Sequence, residues 1–126
     1  MAILHVEDQP ALRQLVCQAL GVFGFAVVSV EGVREAKVAL AERGDVAGAL
    51  LDVRLRDGSG LELYRWIAAN HPGLVGRVAF VTGSADAGGS GQLAATGCPI
   101  VPKPFDLADL RRLAAEWEGA WAAPGP

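Results

Sequence analysis

Apolar runs alternate with amphipathic stretches along this chain, and their lengths predict strands separated by helices. Residues 3–6 form a short apolar run that ends in Glu7 and Asp8, the pattern of a buried strand. Pro10 suits the first turn of a helix, with Asp8 or Gln9 near its cap. Leu12, Leu15, Val16, Ala19 and Leu20 then recur at helical spacing until Gly21 and Gly24 close the segment. Residues 25–30 predict a second strand, and Val33, Ala36, Lys37, Leu40 and Ala41 a second helix ending at Gly44. Residues 46–51 predict a third strand, which delivers Asp52 at its carboxyl end.

Gly58 and Gly60 punctuate a loop before Leu61, Leu63, Tyr64, Trp66, Ile67 and Ala68, a third helix stopped by Pro72. Residues 78–81 predict a fourth strand ending at Thr82, and residues 100–101 a fifth. Asp106 caps the last helix, whose Leu107, Leu110, Leu113, Ala114, Trp117 and Trp121 keep helical spacing. Between Thr82 and Ile100 the pattern weakens. Gly88, Gly89 and Gly91 would each cost a helix roughly 1 kcal/mol relative to Ala, so the fourth helix is expected to be short, displaced or mobile. The expected domain spans residues 1–121, with residues 122–126 a disordered tail.

Strands alternating with helices imply right-handed βαβ units and a parallel sheet covered on both faces. Such sheets bind ligands beyond the carboxyl ends of their strands. Glu7, Asp8, Asp52, Thr82 and Lys103 all fall there. Three carboxylates, a hydroxyl and a lysine are thereby expected to converge on one spot.

Composition narrows the classes. The chain has 126 residues, 52% hydrophobic and 20% charged, which fits one globular domain with a real core. Its net charge of -3 argues against direct nucleic-acid binding, which calls for clustered Lys and Arg. Lys37 and Lys103 are its only lysines, which singles out Lys103 between Pro102 and Pro104. Cys17 and Cys98 lack metal spacing and read as small apolar fillers in a reducing compartment. Acid within the first eight residues and the absence of a basic start predict no secretory signal, and no apolar run reaches the roughly 20 residues of a membrane span. The expectation is a soluble, cytoplasmic protein.

Clustered carboxylates repel and raise one another's pKa unless a cation neutralises them. A hard ion such as Mg2+ prefers oxygen ligands. Asp8 and Asp52 read as direct ligands, Glu7 as direct or water-mediated, and the backbone carbonyl of Arg54 as a further oxygen. Lys103 and Thr82 offer a charge and a hydroxyl to phosphoryl oxygens. The combination points to phosphoryl transfer onto an aspartate.

Here the chain resembles a known family. Val6-Glu7-Asp8-Gln9-Pro10, Leu51-Asp52-Val53-Arg54-Leu55, Asp57-Gly58-Ser59-Gly60, Val81-Thr82-Gly83-Ser84 and Pro102-Lys103-Pro104-Phe105 are similar, in order and spacing, to the receiver domain of bacterial response regulators. The resemblance implies a flavodoxin-like, doubly wound α/β fold: five parallel strands in the order 2-1-3-4-5 with five flanking helices. It implies that Asp52 accepts phosphate from a histidine kinase or a histidine phosphotransfer protein, with Glu7 and Asp8 holding Mg2+ and Thr82 and Lys103 contacting the phosphoryl group. It also implies a cis peptide between Lys103 and Pro104. The expected output is a phosphorylation-dependent contact with a downstream protein, the chain itself being a monomer or weak dimer without membrane or DNA contact.

The chain departs from the family at Ile100, where many receivers carry the aromatic side chain that follows the hydroxyl residue on activation. Ordering or shifting of residues 83–97 is the expected substitute. Arg54 is placed to reach or screen the phosphoryl group, His5 reads as a half-buried structural histidine, and Trp121 as an exposed residue beyond the last helix. A haloacid-dehalogenase-type phosphatase would need an aspartate where Arg54 stands, and room for a cap domain. A flavodoxin would need a Ser/Thr/Gly-rich loop where Glu-Asp-Gln-Pro stands. A degenerate receiver that binds partners without phosphorylation is the remaining alternative.

Overall fold

The computed structural model describes residues 1–83 and 91–121. Its elements are β1 (Ala2–Val6), α1 (Pro10–Gly21), β2 (Ala26–Val30), α2 (Val33–Glu42), β3 (Val46–Asp52), a two-rung hairpin of β4 (Arg54–Leu55) and β5 (Gly58–Ser59), α3 (Gly60–Asn70), β6 (Val78–Thr82), α4 (Gly91–Ala94), β7 (Ile100–Pro102) and α5 (Leu107–Ala120). Five strands form one parallel sheet in the order β2-β1-β3-β6-β7. Setting the small hairpin aside, this is the flavodoxin-like 2-1-3-4-5 order expected from the sequence. The hairpin itself was not expected, since two-residue strands leave no periodicity.

Side chains alternate across the sheet, and each face packs its own core. Leu4, Val6, Leu51 and Phe80 face Leu63 and Ile67 of α3 and Ala36 and Leu40 of α2. Ile3, Leu50 and Val81 face Val16 and Leu20 of α1 and Leu110, Leu113 and Trp117 of α5. Between Ala2 and Ile3 the pairing with β3 shifts register, so that Ile3 stands opposite Gly48. Arg77 Nε donates to the Ala47 carbonyl at this irregularity. The Trp117 indole packs directly on Gly48, where a Cβ would overlap the ring. Only glycine fits beneath that ring.

Helix starts are fixed by different means. Ser59 Oγ accepts from Glu62 N at 3.1 Å and opens α3, and Asp106 Oδ1 accepts from Ala108 N at 2.9 Å and opens α5 as expected. In α1, Pro10 occupies the first turn and Gln9 caps it without a side-chain bond. The N-cap of α2 is Gly32, which has no side chain, and Asp57 supplies both bonds from the β3–α3 connection: to Val33 N at 2.8 Å and to Arg34 N at 3.0 Å.

Several sequence expectations meet the structure unevenly. α4 has four residues, short as expected, while the Gly-rich residues 84–90 and the expected tail 122–126 lie outside the described residues. Trp121 is the C-cap of α5 and is partly buried, not exposed. It lines a cavity with Leu40, Val46, His71 and Leu74 beneath the amino edge of the sheet. His5 is fully buried rather than half-buried, because β1 is central and covered on both faces. Cys17 is exposed on α1 and fills no core position, whereas Cys98 is half-buried. The Lys103-Pro104 bond is cis.

Candidate functional site

Three neighbouring strands and the β7–α5 connection end at one edge of the sheet. β1 delivers Glu7 and Asp8, β3 delivers Asp52, β6 delivers Thr82, and the turn after β7 delivers Lys103. The backbone locks this edge: Lys103 N donates to Thr82 O at 2.7 Å, Val53 N to Val81 O at 3.0 Å, and Glu7 N to Val30 O at 3.0 Å. The predicted convergence is present for the acids and the lysine. One carboxylate oxygen each from Glu7, Asp8 and Asp52 lies within 4.8 Å of the others. Glu7, Asp52 and Thr82 are buried, and Asp8 is half-buried at the mouth.

Lys103 ties the cluster together. Its Nζ sits 2.9 Å from Glu7 Oε1 and 3.0 Å from Asp52 Oδ2. Partial desolvation pulls the ammonium's pKa down, but the hydrogen bonds it donates to Glu7 and Asp52 and their charges outweigh it, and the net direction is up. Lys103 is therefore charged across the physiological range. One ammonium facing three carboxylates leaves an excess of negative charge, which a hard divalent cation would neutralise with oxygen donors.

Glu7 is held on every side. Its Oε2 accepts from Gln9 N at 3.2 Å, and its carbonyl accepts from Arg13 NH1 at 2.8 Å. Sequence reasoning did not single out Arg13; one arginine on an amphipathic helix carries no signal of what its guanidinium reaches. Thr82 is placed at the site, yet its hydroxyl donates to the Gly83 carbonyl at 3.1 Å, so engaging a phosphoryl group requires the side chain to turn. Arg54 begins β4, two residues past Asp52, with its side chain exposed.

Behind Asp52 the chain turns sharply into α3. Gly60 N donates to Val53 O at 3.0 Å, and a Cβ on Gly60 would overlap the Asp52 carbonyl. This glycine permits the close return that anchors β3 to α3. His5 lies two residues before Glu7 on the α1/α5 face, and its Nδ1 and the Oγ of its cross-strand partner Ser29 find no hydrogen-bond partner among the described residues. Burial, then the charges of Lys103 and Arg13, lower the His5 pKa to about 4. Ile100, at the start of β7, is partly exposed and presents no ring to the site.

Comparison with known proteins bears on this geometry. The family model for the response regulator receiver domain matches residues 3–115. The chain is 37% identical over 112 residues to the response regulator protein PilR of Pseudomonas aeruginosa, covering 89% of this chain and 25% of PilR. It is 40% identical over 75 residues to a cyclic di-GMP phosphodiesterase of Thermotoga maritima, covering 60% of this chain and 20% of that protein. The chain thus spans a quarter or less of the curated relatives it matches. Among solved structures, a response regulator receiver protein from Pseudomonas putida superposes with a TM-score of 0.82 at 26% identity, covering 91% of this chain and 95% of that one. A CheY-like receiver domain protein from Methanospirillum hungatei gives 0.79 at 27% identity, covering 94% of each chain.

Proposed function

The chain belongs to the response regulator receiver domain family, and from that premise we propose that Asp52 accepts a phosphoryl group from a phosphohistidine donor. The observation that carries the proposal is the Asp52 carboxylate buried at the end of β3, ion-paired to Lys103 at 3.0 Å and clustered with Glu7 and Asp8. In the step, an Asp52 oxygen attacks phosphorus, the P–N bond to the donor imidazole breaks, and the imidazole nitrogen takes up a proton. Lys103, already at the acceptor carboxylate, receives the phosphoryl oxygens as their counter-charge, and the Thr82 hydroxyl turns from the Gly83 carbonyl to donate to one of them.

Mg2+ fits the donor set of Glu7, Asp8, Asp52 and the Arg54 carbonyl, and when bound it supplies charge neutralisation for attack by an anion on an anion. The product acyl phosphate is a state of the protein rather than a released product, so the chain works as a signalling domain. Its donor is a histidine kinase or a histidine phosphotransfer protein, in keeping with a cytoplasmic location, and its output is a protein contact that depends on the phosphorylated state.

The test is intact-mass analysis after incubation with acetyl phosphate and Mg2+, beside Asp52→Ala. One phosphoryl adduct on the wild type alone supports the proposal. Adducts on both proteins would move the acceptor elsewhere. No adduct with acetyl phosphate or with a phosphorylated histidine donor would favour a receiver that binds its partner without phosphorylation.

A further inference from the structure

The turn from β1 into α1 carries two of the three clustered carboxylates, Glu7 and Asp8, and it lacks the device that fixes the other helix starts. Ser59, Asp106 and Asp57 each offer a side-chain oxygen to an opening amide of α3, α5 or α2. α1 opens on Gln9, whose side chain makes no cap bond, and on Pro10, which has no amide to satisfy. No acid stands in its first turn. Asp8 is thus left out of the helix cap, and its carboxylate stays with the cluster.

The hold on this turn comes from Arg13, within α1. Its backbone amide donates to the Gln9 carbonyl at 3.1 Å, and its guanidinium reaches back to the Glu7 carbonyl at 2.8 Å. Those two carbonyls flank Asp8 in the chain. The Glu7 carbonyl belongs to the planar peptide unit that ends at the Asp8 Cα, so fixing its oxygen fixes the plane from which the Asp8 side chain departs. The Glu7 side chain has its own anchors, Lys103 Nζ at 2.9 Å and Gln9 N at 3.2 Å. Asp8, half-buried at the mouth, takes its direction from the turn.

The guanidinium also brings a charge close to the cluster. After burial and Lys103, Arg13 helps to lower the pKa of His5, two residues before Glu7. By Coulomb's law alone, a positive charge at this distance disfavours a divalent cation, and its removal would tighten metal binding. By geometry, its removal frees the Asp8 peptide and weakens metal binding. The two effects have opposite signs.

We propose that Arg13 is a positioning residue for the divalent cation, presetting the Asp8 carboxylate by holding the Glu7–Asp8 peptide. The proposal rests on the reading that Glu7, Asp8 and Asp52 hold Mg2+. Groups that orient a metal ligand without touching the metal are worth about 10- to 100-fold in affinity, and here that gain outweighs the repulsion.

Calorimetric titration of the wild type, Arg13→Met and Arg13→Gln with Mg2+ tests this, with circular dichroism to confirm each fold. Both variants are neutral and suit a helix; Met has no donor, and Gln is too short to reach the carbonyl. The Mg2+ dissociation constant is expected to rise at least about tenfold in each. The phosphoryl adduct formed with acetyl phosphate at limiting Mg2+ should fall in step and return to the wild-type level at saturating Mg2+. Binding as tight as the wild type's, or tighter, in either folded variant overturns the proposal, because a structural staple or charge alone gives that result. An adduct that saturating Mg2+ fails to restore also overturns it, by placing Arg13 in the transfer step. A wild type that binds no Mg2+ overturns it together with the reading of the acidic cluster, an outcome separate from equal binding by wild type and variants.

Discussion

The middle and the end of β3 are shaped by opposite demands. At Gly48 the strand gives up its side chain so that Trp117 can lie against the backbone, and everything there serves burial. Four residues on, at Asp52, the same strand holds a charge beside two other carboxylates and one lysine, an arrangement that a hydrophobic replacement would relieve. β1 repeats the contrast, with buried His5 in its middle and Glu7 at its end. Mid-strand positions are set by stability, and strand ends by chemistry.

That division can be broken at several points. The largest expected effect is on chemistry alone: Asp52→Ala abolishes the phosphoryl adduct yet changes unfolding free energy by less than about 1 kcal/mol, since Lys103 keeps Glu7 and one of three repelling carboxylates is gone. Urea unfolding beside the mass measurement checks both halves. A large loss of stability would mean that the strand end is structural after all.

Next comes acid. His5 stays neutral in the fold down to about pH 4, while in the unfolded chain it protonates near 6.5. Its contribution is therefore complete above pH 6.5 and is lost as pH falls toward 4, by about 3 kcal/mol in all. Asp57, whose pKa is lowered by its bonds to the Arg34 and Val33 amides, loses its contribution only below the ordinary carboxylate range. His5→Leu should flatten the first window and leave the second; an unaltered pH profile would refute the assignment.

Gly48→Ala forces a methyl group into the rigid Trp117 ring and should cost about 1–3 kcal/mol, with the adduct yield per folded molecule unchanged. Asp57→Ala removes two bonds from the start of α2 and should cost about 1 kcal/mol. Thermal denaturation resolves each, and a reduced adduct yield in Gly48→Ala would erase the distinction between strand middle and strand end.

The sequence carried the order of elements and the convergence of Glu7, Asp8, Asp52, Thr82 and Lys103 because apolar runs and their terminal acids are local patterns. What it did not carry depends on distant parts of the chain. Gly48 looks like an ordinary weak point in a strand until Trp117 arrives 69 residues later. Arg13 becomes part of the site only through the path of its side chain to the Glu7 carbonyl. Trp121 read as exposed because its surroundings come from loops at the far edge of the sheet. The direction of the Thr82 hydroxyl is a rotamer, which no spacing encodes.

The Asp57 carboxylate has a further consequence, for the order in which the chain folds. The amides it binds lie 24 and 23 residues earlier, so α2 has no side-chain cap of its own during synthesis. Its first turn is completed only after the segment following β3 has emerged and docked. A nucleus of β1, α1 and β3 can form before that bond exists, and the bond then acts as a late latch. Asp57→Ala should accordingly speed unfolding and leave the refolding rate almost untouched.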